Sequence, residues 1–236
     1  SLGRATTVAE CVASHAGITQ INDASAWLET SADQLLAAGT AASMELGMML
    51  FQPCIDGSVL PCLPIEAISN GSADGISVMT GSNMHESRAM VMPNPATEQL
   101  SFDDIAEKLK SISDASVDRD TLITTYREIA ARNGKDEDAR SIYAAILSDL
   151  TFRQPGIRLA EVMADRRQSV YQYLFTAESP YFEGIMRSCH SMEIAYVFDT
   201  HSIGEPQKSF FGCGPEAELL SATVQDAWIG FARTGN

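Results

Sequence analysis

Basic residues are scarce in this chain of 236 residues: 16 Lys and Arg face 31 Asp and Glu, the formal charge is −15, and no basic stripe interrupts the acidic excess. Nucleic acid and anionic membrane surfaces repel such a chain, so neither is expected as a partner. The charge reads as a solubility feature, with at most a mild attraction for cationic or neutral substrates. Long apolar runs are missing too, and nothing approaches the ~20 residues of a membrane span. Ser1-Leu2-Gly3-Arg4 is not a charged segment leading into an apolar one, so no export signal is visible, although one on a longer parent would lie outside this sequence. Cysteines are few, odd in number at five, and irregularly spaced, which gives neither a disulfide framework nor a CxxC metal pair. Cys54 and Cys62 flank a turn, yet free, buried or half-buried thiols are the expectation, and with them a reducing, cytoplasmic setting.

What is present is the balance of a packed protein, 45% hydrophobic and 20% charged, in a length that suits one sizeable core or two small ones. Apolar residues recur at three and four from Thr7 to Ala16 and from Ala24 to Met49, with Asp23 and Ser31 placed as caps, so the N-terminal region is expected to be helical. Residues 51 to 64, FQPCIDGSVLPCLP, hold three prolines and Asp56-Gly57 and read as an ordered loop. ISVMT, Ile76 to Thr80, is short, apolar and bounded by glycines, as a buried strand should be. Helices are expected over Ser101 to Ile112, Asp118 to Arg132 and Glu137 to Phe152, a helical insertion at about residues 101 to 152, and Pro155 suits the first turn of a helix running to Arg167. SVYQYLFT, Ser169 to Thr176, is the second strand, and a last helix runs from about Pro215 to Arg233 with Gly235 as its stop. Helical blocks between apolar strands predict an α/β fold with a few-stranded, mainly parallel sheet. Two strands make a poor sheet alone, so part of the fold is expected to lie outside this chain.

Two loops carry candidate chemistry. Gly81-Ser82-Asn83-Met84-His85-Glu86 follows the first strand, and Ser188-Cys189-His190-Ser191-Met192-Glu193 comes soon after the second. The carboxyl ends of parallel strands are where ligands bind in open α/β sheets. A glutamate and a histidine there can meet across a cleft, the carboxylate fixing the tautomer of the imidazole. Singly, each residue is more often a solvated loop acid or a helix-start histidine. His85-Glu86 opens like HExxH but Ala89 stands where the second histidine belongs, and the glycines from Gly212 to Ala217 have no βαβ unit after them. The nucleophile elbow GxSxG is absent, Gly71 to Gly75 having its serine in the wrong place.

Taken together, five blocks resemble the type-B carboxylesterase family of para-nitrobenzyl esterases and cholinesterases. They are Phe51-Gln52-Pro53 with Ile55-Asp56-Gly57; Ile76 to Glu86; Phe152-Arg153-Gln154-Pro155 with Arg158-Leu159-Ala160; Cys189 to Ile194 with Val197-Phe198; and Gln225 to Ile229 with Phe231 to Asn236. The resemblance implies the C-terminal portion of an α/β-hydrolase fold, with Glu86 as the triad acid and His190 as the general base. It implies a serine nucleophile and glycine-rich oxyanion loop upstream of Ser1, a small-molecule ester as substrate, and no metal or organic cofactor. Glu193 holds a recurrent family position and is read as structural, a buried ion-pair or hydrogen-bonding residue. The rival function is a non-catalytic binding module of the kind the family's adhesion proteins represent. Loss of the upstream half would also leave a sheet edge through which the chain is expected to self-associate.

Overall fold

The computed structural model describes residues 2–47, 50–110, 117–135 and 138–236, and the chain divides into two compact units, Ser1–Ser72 and Ala73–Asn236. The first unit is helical: α1 (Leu2–Ala16), α2 (Ala24–Glu29), α3 (Ala32–Leu46) and α4 (Pro64–Ser69). Val8 and Val12 of α1 close over Ala38 and Ala42 of α3, with Leu50 completing the buried cluster. The apolar periodicity from Ala24 onward does not make one helix. Ser31 is extended, its hydroxyl accepts from the Gln34 N–H at 3.3 Å, and the Gln34 side chain accepts from the Ser31 N–H at 3.1 Å. That capping box satisfies two donors at a fresh helix start, so α2 ends and α3 begins. Met48 and Met49, the expected end of the run, lie outside the described residues. Pro64 opens α4 where only a loop was expected, because its missing N–H is one that a helix start leaves unpaired anyway.

The second unit is built on a parallel pair, β1 (Val78–Asn83) and β2 (Val170–Phe175), in the register Val78↔Val170 through Asn83↔Phe175. Between them run α5 (Arg88–Val91), α6 (Phe102–Leu109), α7 (Arg119–Arg132), α8 (Ala139–Ser148) and α9 (Gln154–Asp165); α10 (Met192–Val197), α11 (Glu205–Phe211) and α12 (Pro215–Thr234) follow. β1 starts two residues later than the apolar run and continues through Gly81-Ser82-Asn83. Ladder hydrogen bonds are made by the main chain, so a glycine and two polar residues can be strand once β2 lies alongside. Among the described residues no strand pairs with the other side of β1.

Ile105, Leu109, Ile123, Ile142 and Ile146 form a buried cluster joining α6, α7 and α8. Each such side chain contributes about 2 kcal/mol of burial, enough to hold three short amphipathic helices together. Ser101 and Asp104 make the capping box expected of α6, Asp118 caps α7, and Asp138 caps α8. Ser111, Ile112 and Glu137, ends of the expected helices, lie outside the described residues. The break expected before Pro155 is instead a widened π turn, Asp149–Arg153, that carries α8 into α9 without leaving helical geometry. The wider turn accommodates a proline that cannot donate to the turn before it. Gly235, at φ 72°, ends α12 and donates its N–H to Phe231 O, as its place in the sequence predicts. All five cysteines are free, Cys189 buried and Cys213 exposed, the latter against the expectation of burial. No described helix is long and apolar enough to cross a membrane.

Candidate active site

The carboxyl ends of β1 and β2 are laced together by main-chain bonds. Met84 N–H donates to Phe175 O at 2.9 Å, His85 N–H to Ser188 O at 2.8 Å, and His190 N–H to Glu86 O at 3.1 Å. Ser188, fully buried, also donates its hydroxyl to Phe175 O at 2.7 Å. These bonds carry the histidine loop to the acid loop although 104 residues separate Glu86 from His190.

Glu86 is 5% exposed, and both of its carboxylate oxygens are engaged. Oε1 accepts the Asn83 N–H at 2.7 Å, and Oε2 lies 2.7 Å from His190 Nδ1. A buried carboxylate in that position makes Nδ1 the protonated nitrogen of the neutral ring and leaves Nε2 as its lone-pair base. The imidazole is half exposed, so Nε2 is open to a reactant, and the Phe152 ring from the π turn packs on it with centroids 5.2 Å apart. Ser191, next to the histidine, holds a left-handed backbone, φ 66°, a costly conformation for serine that turns the chain sharply into α10.

Asn83, 1% exposed, is the residue that sequence reasoning passed over. Its side-chain amide donates to Cys189 O at 2.8 Å and to Glu193 Oε2 at 2.6 Å, while its main chain holds Glu86. One asparagine thereby fixes the end of β1, the acid and the start of the histidine loop. Its spacing three before Glu86 is the only trace in the sequence, and a polar residue in a loop does not announce such a role. Glu193 is half buried and bound to Asn83 by a hydrogen bond. Cys189 is fully buried, and burial pushes its thiol up to about 11, so it is not a nucleophile at neutral pH.

His85 faces different surroundings from its neighbour Glu86. It lines a cavity of about 620 Å³ with Arg88, Lys135, Arg153 and Arg187. Burial first, then the charges of Arg187, Arg88, Lys135 and Arg153, push its pKa down to about 3. The unfolded chain therefore binds a proton at His85 below about pH 6.5 that the folded chain refuses until about pH 3. Its contribution to stability is full above pH 6.5 and is lost as pH falls toward 3. His85→Gln is expected to flatten the stability slope between pH 6 and 4 by about 2 kcal/mol overall, after allowance for solvent screening. Urea unfolding of both proteins at several pH values checks this, and parallel slopes would reject the buried-neutral assignment.

A sheet layered with helices, carrying a carboxylate-oriented imidazole where its parallel strands end, defines an α/β-hydrolase. Residues 2–236 match the model of the carboxylesterase family, and the chain belongs to that family. It is 27% identical over 215 residues to the para-nitrobenzyl esterase of Bacillus subtilis, a match covering 87% of this chain and 40% of that protein. Acetylcholinesterase of Bungarus fasciatus is 26% identical over 79% of this chain and 31% of its own length. The crystal structure of a Geobacillus stearothermophilus carboxylesterase superposes with a TM-score of 0.78 at 25% identity, covering 98% of this chain and 45% of that one. The chain thus spans less than half the length of each of these proteins.

Proposed function

We propose that this chain supplies the acid and the base of a serine carboxylic ester hydrolase whose nucleophile and oxyanion donors come from a preceding half of the fold. The observation that carries the reading is the Glu86–His190 pair, 2.7 Å apart, with the second carboxylate oxygen anchored by the Asn83 N–H. His190 Nε2 takes the proton of a serine hydroxyl as that oxygen attacks the ester carbonyl, and Glu86 stabilises the imidazolium that forms. The same proton passes to the departing alkoxide, and water then releases the acyl group by the reverse sequence. Acyl transfer by this route calls for no metal or organic cofactor. A purely binding role would leave the pair without a chemical need.

The helices α6 to α8 are proposed as an insertion over the sheet, and the free edge of β1 as the seam that the nucleophile-bearing half covers. Alone, the chain is expected to cover that edge by association with a second copy, since unpaired strand groups beside apolar surface are costly in water.

The test compares the purified chain with a polypeptide in which it is joined to the coding sequence upstream. The joined protein is expected to hydrolyse a short-chain nitrophenyl ester and to carry a GxSxG serine that a phosphonate probe labels. The chain alone is expected to be inert, because a histidine without a positioned nucleophile does little more than one in solution. Turnover by the chain alone that vanishes in His190→Ala would place the nucleophile within these residues. A joined protein without a reactive serine would end the esterase reading. Light scattering on the same chain decides the association: a monomer mass across a dilution series rejects it.

A further inference from the structure

We propose that Cys11, His15 and Glu45 form a binding site for a divalent transition-metal ion of the zinc class. Cys11 and His15 stand one turn apart on α1, so both project from the same face of that helix. Glu45 lies in the last turn of α3, the helix that packs on α1 through Val8, Val12, Ala38 and Ala42. One donor atom from each residue, a thiol sulfur, an imidazole nitrogen and a carboxylate oxygen, lies within 4.8 Å of the other two. His15 Nε2 and Glu45 Oε2 are already 3.1 Å apart. Metal–ligand lengths of about 2.3 Å for sulfur and 2.0 to 2.1 Å for nitrogen and oxygen put the donors of a tetrahedral ion roughly 3.3 to 3.6 Å apart. The remaining approach of about 1 Å is within the range of side-chain rotamer changes.

The chemistry of the set is selective. Magnesium and calcium prefer oxygen ligands, whereas a mixed sulfur, nitrogen and oxygen set suits zinc. Three protein ligands on a partly exposed helix pair leave the fourth position to water. On binding, a dication displaces the Cys11 thiol proton. The Cys11 S–H bond breaks, its proton leaves to solvent, the sulfur electron pair forms the metal bond, and His15 offers Nε2 in its Nδ1–H tautomer. The ion thereby ties α1 to α3 in a unit whose buried cluster is two valines, two alanines and Leu50. This site stands independently of any ester hydrolysis. A simple His15–Glu45 ion pair, more than a third exposed on both sides, would contribute little by itself.

The full chain, stripped with a chelator, is titrated with cobalt(II). One equivalent is expected to give a thiolate-to-cobalt charge-transfer band with the intense visible bands of a tetrahedral ion, both displaced by zinc. Cys11→Ser should abolish the charge-transfer band, and His15→Gln and Glu45→Gln should each weaken binding by about tenfold or more. Circular dichroism confirms that each variant keeps its helices, and Cys213→Ser, which removes the exposed thiol, should bind like the parent. Zinc should also raise the melting temperature of the parent and not of Cys11→Ser. The absence of a charge-transfer band in the parent overturns the proposal. So does a band that survives Cys11→Ser or is lost in Cys213→Ser.

Discussion

Ester hydrolysis by the polypeptide that joins this chain to its nucleophile-bearing half is expected to fall by about 10⁴-fold or more in kcat when His190 becomes alanine, with KM little changed. The imidazole acts only as protons move, so its removal raises the barrier without weakening substrate binding. Glu86→Gln is expected to cost roughly as much, about 10⁴-fold. Glutamine can still accept the Asn83 N–H, so the loop holds its shape. Its amide can donate to Nδ1, however, which favours the ring tautomer with the proton on Nε2, where the base must be free. Parallel measurements of kcat and KM on a nitrophenyl ester decide the matter. A loss under tenfold in either variant, with the fold intact, would remove that residue from the catalytic assignment.

Gly81→Ala is expected to destabilise the protein by about 2 to 3 kcal/mol, a large effect for one methyl group. A Cβ at residue 81 would stand 2.4 Å from Cγ and Cδ1 of the Tyr173 ring, its cross-strand partner on β2. Those atoms lie at the root of the side chain, so the ring cannot swing clear without losing its packing against Trp228, 4.7 Å away. The damage reaches the site as well, because Asn83 and its hold on Glu86 lie two residues farther along β1. The double variant Gly81→Ala/Tyr173→Ala tests the cause: removing the ring should recover part of the loss, as a coupled pair requires. An unfolding free energy from urea titration within about 0.5 kcal/mol of the parent for Gly81→Ala alone would reject the steric account.

The helices were the most legible part of the fold. Ser101 with Asp104, Asp118, Pro215 and Gly235 mark starts and stops whose chemistry is local: side chains of Ser101 and Asp118 accept main-chain N–H groups two or three residues on, Pro215 sits in a first turn, and the Gly235 N–H reaches Phe231 O four residues back. Short elements such as α4, α5, α10 and α11 escaped, since one or two turns carry too few residues to show a period. Ser31 was legible as a cap, yet the apolar pattern on either side of it concealed that it ends one helix and starts another.

The sequence by itself determined that Glu86 and His190 occupy loops after two strands, that both belong to blocks resembling one family, and that no GxSxG elbow lies between Ser1 and Asn236. Only the tertiary structure decided that the two side chains meet at 2.7 Å, because that depends on the register of β1 against β2 and on bonds such as His85 N–H to Ser188 O. It also decided the part played by Asn83, whose amide joins groups more than a hundred positions away in the chain. The grouping of Cys11 and His15 with Glu45 is of the same kind, half visible as a one-turn spacing on α1 and completed by a second helix. The physical reason is range. Capping and periodicity act within a few residues and are written in order along the chain, whereas strand register and side-chain convergence are fixed by packing between segments far apart in sequence.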